Sequence, residues 1–330
     1  MKNSIDIFQC PVCSGELAVE DDYIFCEKNG HRFEIEGDIP LMFVEDCDNI
    51  HADRITQKVK QFYEENPFPN YDESDNPVLL NLKAETSIFA KLLNEEIPYN
   101  IRVLEVGCGT GQLSTYLSFA HRYVFGVDLS LNSLQLANNF KKKHELKRSS
   151  FYQMNLFKPC FKENSFHFII CNGVLHHTHE ASEGFLSITR LLKKEGYVII
   201  GLYNRFGRVF TNIRRGIFKM TGSFFHSFDP YLKRDDITYI KKNAWFIDQY
   251  HNPHETSHTF GEVLKWFDKA GIEFISSIPE IGSLARLKDD YNLFVKQGTG
   301  KITSRFITQL FMPFLGSKEG GFFVVIGRKK

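Results

Sequence analysis

Short apolar runs alternate along this chain with segments of helical periodicity. An apolar run at 101–106 leads directly into a glycine-rich stretch, and a second run, YVFGVDLS at 123–130, contains an acidic residue near its end. In the segment 259–278, Leu264, Phe267 and Ala270 recur at the spacing of one helix face before a further apolar run. Strands that alternate with helices predict an α/β fold built around a mostly parallel sheet.

The C-terminal part of the chain supplies the last elements of this sheet. GGFFVVIGRK at 320–329 predicts a final antiparallel strand, which leaves two insertions, residues 204–257 and about 279–319. Ligands of open α/β sheets bind beyond the carboxyl ends of the strands. The first insertion, which we expect to be mainly helical, is therefore placed to face the binding pocket.

Residues 1–47 predict a separate small β module. Three short β runs, ELAVE, YIFCE and HRFEI, are joined by turns, and the module contains Cys10, Cys13, Cys26 and His31. Two ligand pairs on tight turns are typical of a zinc ribbon, and a module of this size needs such a metal to be stable. Four protein ligands close the coordination sphere, so we expect a structural or recognition role. A β-hairpin with incidental reduced cysteines is the alternative.

Residues 48–90 predict a connector that begins with a helix. The charged segment at 52–66 is followed by NPFPNYDESDNP at 66–77, which is rich in proline and asparagine. Phe68 and Tyr71 would serve little purpose in a flexible linker. We expect an ordered loop, which is either a lid over a ligand or a connector held in place by its aromatic residues.

Composition narrows the class of protein. The 330 residues, 42% of them hydrophobic, are enough for an α/β core and a small accessory module. Forty basic residues balance forty acidic ones, so no global field draws the chain to nucleic acid or to an anionic membrane. No signal-peptide pattern and no run of about 18 apolar residues occurs. We expect a cytoplasmic protein, whose seven cysteines favour metal binding over disulfides.

The sequence VLEVGCGTG places Gly107, Gly109 and Gly111 between a strand and a helix, the context in which a glycine-rich loop binds a ligand. The spacing differs from the Gly-x-Gly-x-x-Gly of dinucleotide enzymes, which disfavours a nicotinamide oxidoreductase. Glu105 beside the loop suits a cationic ligand better than a phosphate. Asp128, about 20 residues beyond the loop, stands where an acidic side chain binds ribose hydroxyls.

These motifs resemble the class I S-adenosylmethionine-dependent methyltransferases of the type 11-like group. The resemblance runs in the family's order through VLEVGCGTG, GVDLS, FYQMNL, SFHFIICNGVLHHT and LLKKEGYVIIGLYN. It implies a Rossmann-like seven-stranded sheet, S-adenosylmethionine as the cofactor, and a methyltransferase domain over 91–330 with the insertion 204–257 for the acceptor. The cofactor-binding residues that it implies are Glu105, Gly107, Gly109, Asp128, Leu129, Asn155, Leu156 and Asn172.

The family's pattern also assigns these residues to parts of the cofactor. Glu105 and the glycines would line the methionine and ribose, Asp128 the ribose, and Leu129 the adenine. Asn155 and Leu156 would lie at the adenine edge, and Asn172 near the methyl group. The chain departs from the pattern in three places: Asn155 replaces a frequent Asp, His167 replaces the Asp of S-F-D, and KKEG at 193–196 leaves Gly196 alone to make a turn.

The N-terminal module has a resemblance of its own. Its segment EGDIPLM at 36–42 is similar to the segment that follows the second knuckle in zinc ribbons accompanying RNA methyltransferases, including their small partner subunits. The Cys3His pattern also resembles the ribbon at the start of ribosomal-RNA guanine methyltransferases. Many such ribbons close with a second Cys-x2-Cys, whereas this one closes with His31.

DQYHNPHETSHT at 248–259 is the candidate catalytic cluster. We interpret His251, His254 and Glu255 as a polar wall or general base for the acceptor. A metal site and a hydrogen-bonded structural loop are the alternatives, and Pro253 would interrupt any helix between the first two histidines. His258 is expected to begin the next helix and to cap it or pack there. His176 and His177 follow the fourth strand, where the second His of such pairs more often packs or caps than catalyses.

Two further segments combine apolar and basic character. YNRFGRVFTNIRRGIFKMTG at 203–222 predicts an amphipathic basic helix. Residues 204–219 are therefore a candidate for peripheral contact with a membrane or with phosphate groups, and a domain helix with a solvated basic face is the alternative. FITQLFMPFL at 306–315 is too short to span a bilayer, and we expect it to form core or pocket wall.

Together these observations predict an S-adenosylmethionine-dependent methyltransferase with a structural zinc ion. The balanced charge and the insertion rich in His, Tyr and Trp favour a small or lipid-like molecule that accepts the methyl group on N, O or C. The zinc ribbon favours RNA as the alternative acceptor. A protein that binds the cofactor without catalysis, and uses the ribbon to hold a partner, is the remaining alternative.

Overall fold

The computed structural model describes residues 5–45, 49–72, 74–221, 229, 231–234, 238–314 and 321–330. An antiparallel sheet forms the N-terminal module from β1 (Leu17–Val19), β2 (Tyr23–Cys26), β3 (Arg32–Glu36) and β4 (Ile39–Pro40), in that order. Two tight turns flank its first strands, since the N–H of Ser14 donates to Cys10 O and that of Gly30 donates to Cys26 O. The predicted β runs are therefore confirmed.

A seven-stranded sheet forms the centre of the molecule. Its strands are β5 (Arg102–Val106), β6 (Tyr123–Asp128), β7 (Ser149–Gln153), β8 (Phe166–Asn172), β9 (Leu192–Tyr203), β10 (Ile272–Ile278) and β11 (Phe322–Lys329). Their order is β10-β11-β9-β8-β5-β6-β7, and β11 is antiparallel to both neighbours while the pairs from β9 to β7 are parallel. The predicted Rossmann-like seven-stranded sheet is confirmed.

Helices precede the sheet, connect its strands and fill the insertions. They are α1 (Ile50–Glu65), α2 (Pro77–Glu85), α3 (Ile88–Glu96), α4 (Gln112–Phe119), α5 (Leu131–Lys143), α6 (Ala181–Arg190), α7 (Val209–Thr221), α8 (Tyr239–His251), α9 (Phe260–Ala270) and α10 (Ile302–Phe311). Parts of both predicted insertions, residues 222–228, 230, 235–237 and 315–320, lie outside the described residues. Within the described ranges, every helix is too short or too polar to cross a membrane.

Alternation along the strands builds a core on each face of the sheet. Ile169 and Cys171 of β8 enter one apolar cluster, whereas Phe168 and Ile170 enter the other, because successive side chains of a strand point to opposite faces. Helices α6 and α9 pack on the first face, and α3 and α4 pack on the second. The carboxyl ends of the parallel strands are thereby left open as a common edge.

The N-terminal module packs on the sheet next to β7. Phe8 is fully buried, with its ring centroid 5.1 Å from that of Tyr152 and 4.8 Å from that of Phe161. The N–H of Gln9 donates to Cys160 O and the N–H of Met42 donates to Gln153 O, each at 2.9 Å. The module therefore shares one apolar core with the sheet and covers its outer strand.

The start of α9 decides between the two roles expected for His258, which were to cap the helix or to pack there. Helix α9 begins at Phe260, and its cap is Thr259: the Thr259 hydroxyl accepts from Glu262 N while the Glu262 carboxylate accepts from Thr259 N. This reciprocal arrangement satisfies two of the backbone donors that a helix start leaves unpaired. His258 instead packs against Trp266, with ring centroids 4.9 Å apart.

The start of β9 differs from the expected turn. The strand begins at Leu192 and includes KKEG, and the positive φ of 63° falls on Glu195, not on Gly196. A Cβ on Gly196 would lie 2.8 Å from His167 O, so this glycine is required by close packing of the backbone. His167 lies inside β8, where its Nδ1 accepts from Arg102 N at 3.2 Å, and so affects strand pairing rather than a turn.

The prediction for 306–315 was wrong within the described part of that segment. Side chains of α10 and of the turn after it are exposed at Phe306, Ile307, Leu310, Phe311 and Phe314. Only a minority of this segment is buried, chiefly Thr308, Gln309 and Met312. An apolar sequence therefore forms a surface helix here, with polar residues on its inner side.

Candidate functional site

The turn after β5 is built around three glycines in left-handed conformations. Gly107, Gly109 and Gly111 have φ values of 69°, 52° and 72°. A Cβ on Gly107 would overlap the side chain of Val174, and one on Gly109 would overlap the carbonyl oxygen of Phe68. Glycine is the residue that adopts such angles without a steric penalty. The turn thus exposes its backbone at the carboxyl edge of the sheet.

Asp128 ends the neighbouring strand β6 and holds this turn. One carboxylate oxygen accepts from Gly109 N at 2.8 Å, and the other accepts from Ser130 N at 2.9 Å. Burial raises the pKa of Asp128, while these amide donors oppose the shift. The carboxylate has further lone pairs beyond the two that are used, and these suit ligand hydroxyl groups.

Glu105 lies on β5 beneath the turn and is buried. It accepts a hydrogen bond from the Ser114 hydroxyl of α4. Burial raises the pKa of Glu105 to about 8. A positively charged group bound close to this carboxyl would favour its ionised form and lower that pKa. The buried carboxyl is therefore suited to a cationic ligand.

A cavity of about 400 Å³ opens at this edge of the sheet. All eight residues that the sequence assigned to the cofactor line it: Glu105, Gly107, Gly109, Asp128, Leu129, Asn155, Leu156 and Asn172. The connector contributes as well, since Phe68 and Pro69 line the cavity and the Thr110 hydroxyl donates to Pro69 O. The predicted residues thus lie together in the wall of one cavity, and their assignment to the cofactor stays a prediction.

The cavity is also lined by residues that the sequence analysis did not assign to the site. Tyr63 comes from α1, Trp245, Asp248 and Gln249 come from α8, and Tyr203 ends β9. The Tyr63 hydroxyl donates to Asp248 Oδ1 at 2.9 Å, and Gln249 Nε2 donates to the Tyr203 hydroxyl at 2.7 Å. One signal in the sequence could have found the three residues of α8: positions 245, 248 and 249 have the spacing that places side chains on one face of a helix.

His177 also lines the cavity. Its Nδ1 is 2.8 Å from the carbonyl oxygen of His254, and because a carbonyl only accepts, Nδ1 carries the proton of this bond. Burial lowers the pKa of His177, which favours the neutral ring. In a neutral imidazole with a protonated Nδ1, Nε2 has a free lone pair. Since His177 lines the cavity, it offers a base to a ligand there.

The predicted catalytic cluster occupies a different position. Of the described residues that line the cavity, none is His251, His254 or Glu255. His251 is exposed at the end of α8, and His254 contributes its carbonyl rather than its ring. These positions correct the assignment of the three side chains as the wall of the site.

Glu255 is taken up by a buried ion pair. Its carboxylate accepts from Arg208 at 2.6 Å and from Arg215 at 2.8 Å, and the Arg208 guanidinium lies 3.6 Å from the centre of the Tyr203 ring. Burial acts to raise the pKa of Glu255, but the bonds to the two arginines hold it below its usual value. A carboxylate paired in this way is a poor base, so its role is to join α7 to the chain after α8.

The four predicted metal ligands come together in the N-terminal module. The ligand atoms of Cys10, Cys13, Cys26 and His31 all lie within 4.8 Å of one another. Cys13 Sγ is 3.5 Å from Cys26 Sγ, and Cys10 Sγ is 3.5 Å from His31 Nδ1. Zinc–sulfur bonds of about 2.3 Å at tetrahedral angles require sulfur atoms about 3.8 Å apart. The cluster therefore fits a closed zinc site.

Asn155 connects this module to the cavity. Its Nδ2 donates to Val44 O at 2.9 Å, and its Oδ1 accepts from Phe157 N at 3.0 Å. An aspartate makes the second bond but not the first, because an ionised carboxylate has no donor. The departure from the family's frequent Asp therefore has a structural reason in this chain.

Comparison with known proteins places the central region in one family. A family described as methyltransferase domain matches residues 98–271. An uncharacterised protein of Synechococcus sp. is 23% identical over 250 residues, which are 68% of this chain and 60% of that protein. A ubiquinone biosynthesis O-methyltransferase of Glaesserella parasuis is 26% identical over 145 residues, or 41% of this chain and 61% of the relative.

Among solved structures, PKMT2 from Rickettsia typhi has the same fold. Its TM-score is 0.51 at 14% identity, and the match covers 75% of this chain and 53% of that chain. The matched region spans about three fifths of the two curated relatives. These likenesses agree with the topology of the sheet.

The bond from Asn155 to Val44 predicts that aspartate, the frequent residue of the family at this position, would lower the stability of this chain. Asn155→Asp removes the donor and places a carboxylate oxygen against the Val44 carbonyl, so the free energy of unfolding is expected to fall by about 1–3 kcal/mol. Denaturant unfolding of the purified protein measures this change. Asn212→Asp on the exposed side of α7 is the control and should stay within about 0.5 kcal/mol of the wild type. Unchanged stability of Asn155→Asp would contradict the bond.

Proposed function

The chain belongs to the class I S-adenosylmethionine-dependent methyltransferases, and from that premise we propose that it methylates a hydroxyl group of a small aromatic or lipid-like molecule. The observation that carries the proposal is the cavity itself. Its lining combines buried carboxyl groups, aromatic side chains and His177, whose neutral form is favoured by burial. The named O-methyltransferase relative supports oxygen as the acceptor atom.

The cofactor end fits the proposed methyl donor. Glu105 is placed to bind a cationic ammonium or sulfonium environment, and Asp128 is placed to accept from ribose hydroxyls. Leu129, Asn155 and Leu156 form the part of the wall that we assign to adenine, and we assign Asn172 to the neighbourhood of the reacting group. When bound, S-adenosylmethionine supplies an electrophilic methyl carbon, whose bond to sulfur breaks as the acceptor oxygen attacks, leaving neutral S-adenosylhomocysteine.

The proposed substrate class rests on the residues of the part of the cavity that we assign to the acceptor. Its aromatic walls are Tyr63, Tyr203, Trp245 and Phe322. The indole Nε1 of Trp245 and the Oδ1 of Asn172 are buried without a protein partner, so a donor and an acceptor are available to an oriented ligand. Such a mixture of apolar area and a few polar groups is typical of small-molecule pockets.

His177 is the proposed general base. Its Nε2 takes the proton of the acceptor hydroxyl as the oxygen attacks, and the resulting imidazolium is stabilised by the nearby Asp248 carboxylate and the His254 carbonyl. The imidazolium then returns the proton to water. Orientation of the acceptor and exclusion of water supply the rest of the acceleration.

RNA is the less favoured acceptor. The described residues that line the cavity include Glu105, Asp128 and Asp248 but no lysine or arginine. Recognition of nucleic acid relies on basic side chains that neutralise phosphates. A carboxyl-lined cavity instead favours a neutral or cationic acceptor.

Methyl transfer from labelled S-adenosylmethionine to phenols, aliphatic alcohols, amines and RNA tests the proposal directly. We expect S-adenosylhomocysteine to form with a hydroxyl compound and not with RNA. Asp128→Asn is expected to weaken cofactor binding about tenfold to hundredfold in calorimetry, since bonds to a charged group are lost. Asp268→Asn on the exposed side of α9 is the matched control. Unchanged affinity of Asp128→Asn, or turnover with RNA alone, would overturn this reading of the cavity.

The proposed role of His177 as the base predicts how its substitution changes the rate of methyl transfer and the dependence of that rate on pH. His177→Gln should lower the single-turnover rate by about 10² to 10⁴ and leave cofactor affinity nearly unchanged. The neutral ring is the active form and burial lowers its pKa, so the wild-type rate should fall only as the pH drops below the ordinary histidine value of about 6.5. That acid-side fall should disappear in His177→Gln. His251→Gln, outside the cavity, should keep both the rate and the pH profile.

We also propose that the Cys10, Cys13, Cys26 and His31 cluster holds one structural zinc ion. Elemental analysis of the reduced protein is expected to find equimolar zinc, which Cys13→Ser should lose together with a marked drop in melting temperature. Cys160→Ser also alters a buried cysteine, but one outside the cluster. It should lower stability and retain the zinc. Zinc-free wild-type protein would refute the site.

A further inference from the structure

Helices α7 and α10 turn apolar side chains towards the outside of the molecule. On α7, Val209, Phe210, Ile213 and Met220 are exposed, and Met220 reaches 84%. On α10 and the turn after it the exposed apolar residues are Ile302, Phe306, Ile307, Leu310, Phe311 and Phe314. We call these ten residues the outer face. Contiguous exposed apolar area of this kind marks an interaction site in a folded protein.

Polar contacts on its inner side fix the orientation of α10. The side-chain oxygen of Gln309 accepts from Asn204 Nδ2 and from Phe260 N, both at 3.0 Å, and the Thr308 hydroxyl accepts from Gly282 N at 2.8 Å. Rotating the helix to bury its apolar stripe would leave these buried donors unpaired, which is costly. The outward position of the apolar residues is therefore built into the fold.

The two helices form one surface. The rings of Phe206 and Phe306 are 5.5 Å apart, and those of Phe210 and Phe314 are 5.9 Å apart. The chain segments are also joined by their backbones, since Asn204 N donates to Gly321 O at 2.8 Å. The outer face is thus continuous across α7 and α10, although they come from different insertions.

Charge indicates what this surface contacts. Segments 204–221 and 301–314 contain seven basic residues and no aspartate or glutamate. Arg205 pairs with Glu262, and Arg208 and Arg215 pair with Glu255. Of the remaining basic residues, Lys301 is exposed, and Arg214 and Arg305 are half-buried. In a chain whose total charge is zero, this local excess is complementary to an anionic surface.

We propose that the outer face docks on an anionic lipid bilayer. Its apolar side chains enter the boundary between headgroups and acyl chains, and the basic residues near it contact the lipid phosphates. A second copy of the chain fits less well, because a two-fold contact would bring the basic helices of both copies together. The surface needs no acidic protein partner, since its exposed centre is apolar.

The position of the outer face connects it to the cavity. Tyr203, just before α7, and Phe322, shortly after α10, both line the cavity. Docking would therefore bring the open edge of the sheet close to the membrane surface, where a lipid-like acceptor is concentrated. This consequence rests on the proposed function, whereas docking itself does not and is tested without turnover.

Sedimentation with vesicles tests the docking. The full-length protein should bind vesicles made of equal parts phosphatidylcholine and phosphatidylglycerol, bind phosphatidylcholine alone much more weakly, and dissociate as salt is raised. Ile213→Ser and Leu310→Ser should each weaken binding about tenfold, because each removes one large apolar side chain from the contact. Lys301→Glu should weaken binding to the anionic vesicles several-fold.

Leu82→Ser is the matched control, because Leu82 is 56% exposed on α2 and lies outside the outer face. It should bind as the wild type does, and circular dichroism should show that all variants are folded. The proposal would be overturned if the wild-type protein did not bind anionic vesicles. It would also be overturned if Ile213→Ser and Leu310→Ser bound them as tightly as the wild type does. So would a wild-type dimer that these substitutions dissociate without any effect on vesicles. Vesicle binding without methyl transfer would uphold docking and count only against the proposed function.

Discussion

The turn of three glycines after β5 is the constraint on which the rest of the site depends. Each glycine removes a Cβ that would collide with a different neighbour: Val174 after β8, the connector at Phe68, and Phe151 on β7. Three segments distant in sequence therefore close on one turn. Asp128 fixes the turn through Gly109 N, which is why this carboxylate and the glycine loop form one unit. A side chain at each of these glycines would therefore displace a different one of the three segments that surround the turn.

Much of the fold, and the residues around the glycine turn that line the cavity, could be predicted because their signals are local. The apolar runs, the glycine spacing and the residue that ends β6 all lie within short windows of sequence. The part of the cavity that we propose for the acceptor could not be predicted in this way, since Tyr63 and Asp248 meet only through the tertiary fold. The histidine-rich stretch was misleading for a related reason. Its polarity suggested a site, but Glu255 pairs with Arg208, just before α7, and with Arg215 of α7, and this pairing becomes visible only in three dimensions.

Periodicity also could not tell which face of a helix points inwards. The segment at 306–311 has the apolar spacing of a core helix, and in α10 that stripe faces outwards. The orientation of α10 is determined by Gln309 and Thr308. Their hydrogen-bond partners, Asn204 and Gly282, belong to other parts of the chain. Turning the apolar stripe inwards would bury apolar surface, but no matching surface is available to it. It would also leave the buried partners of Gln309 and Thr308 unpaired, and an unpaired buried polar group costs more free energy than a typical hydrogen bond contributes.

Two adjacent residues of α1 connect the ends of the cavity. Tyr63 donates to Asp248 at the acceptor end, whereas Glu64 accepts from Leu131 N and Asn132 N, both at 2.8 Å, at the start of α5 beside Asp128. The same turn of helix therefore bonds both to α8 and to the start of α5, and α1 cannot shift at one of these contacts without disturbing the other. The connector is for this reason part of the wall of the cavity in which we propose that the cofactor and the acceptor bind. A displacement of α1 would disturb Tyr63 and the surroundings of Asp128 together, because the two contacts come from adjacent residues.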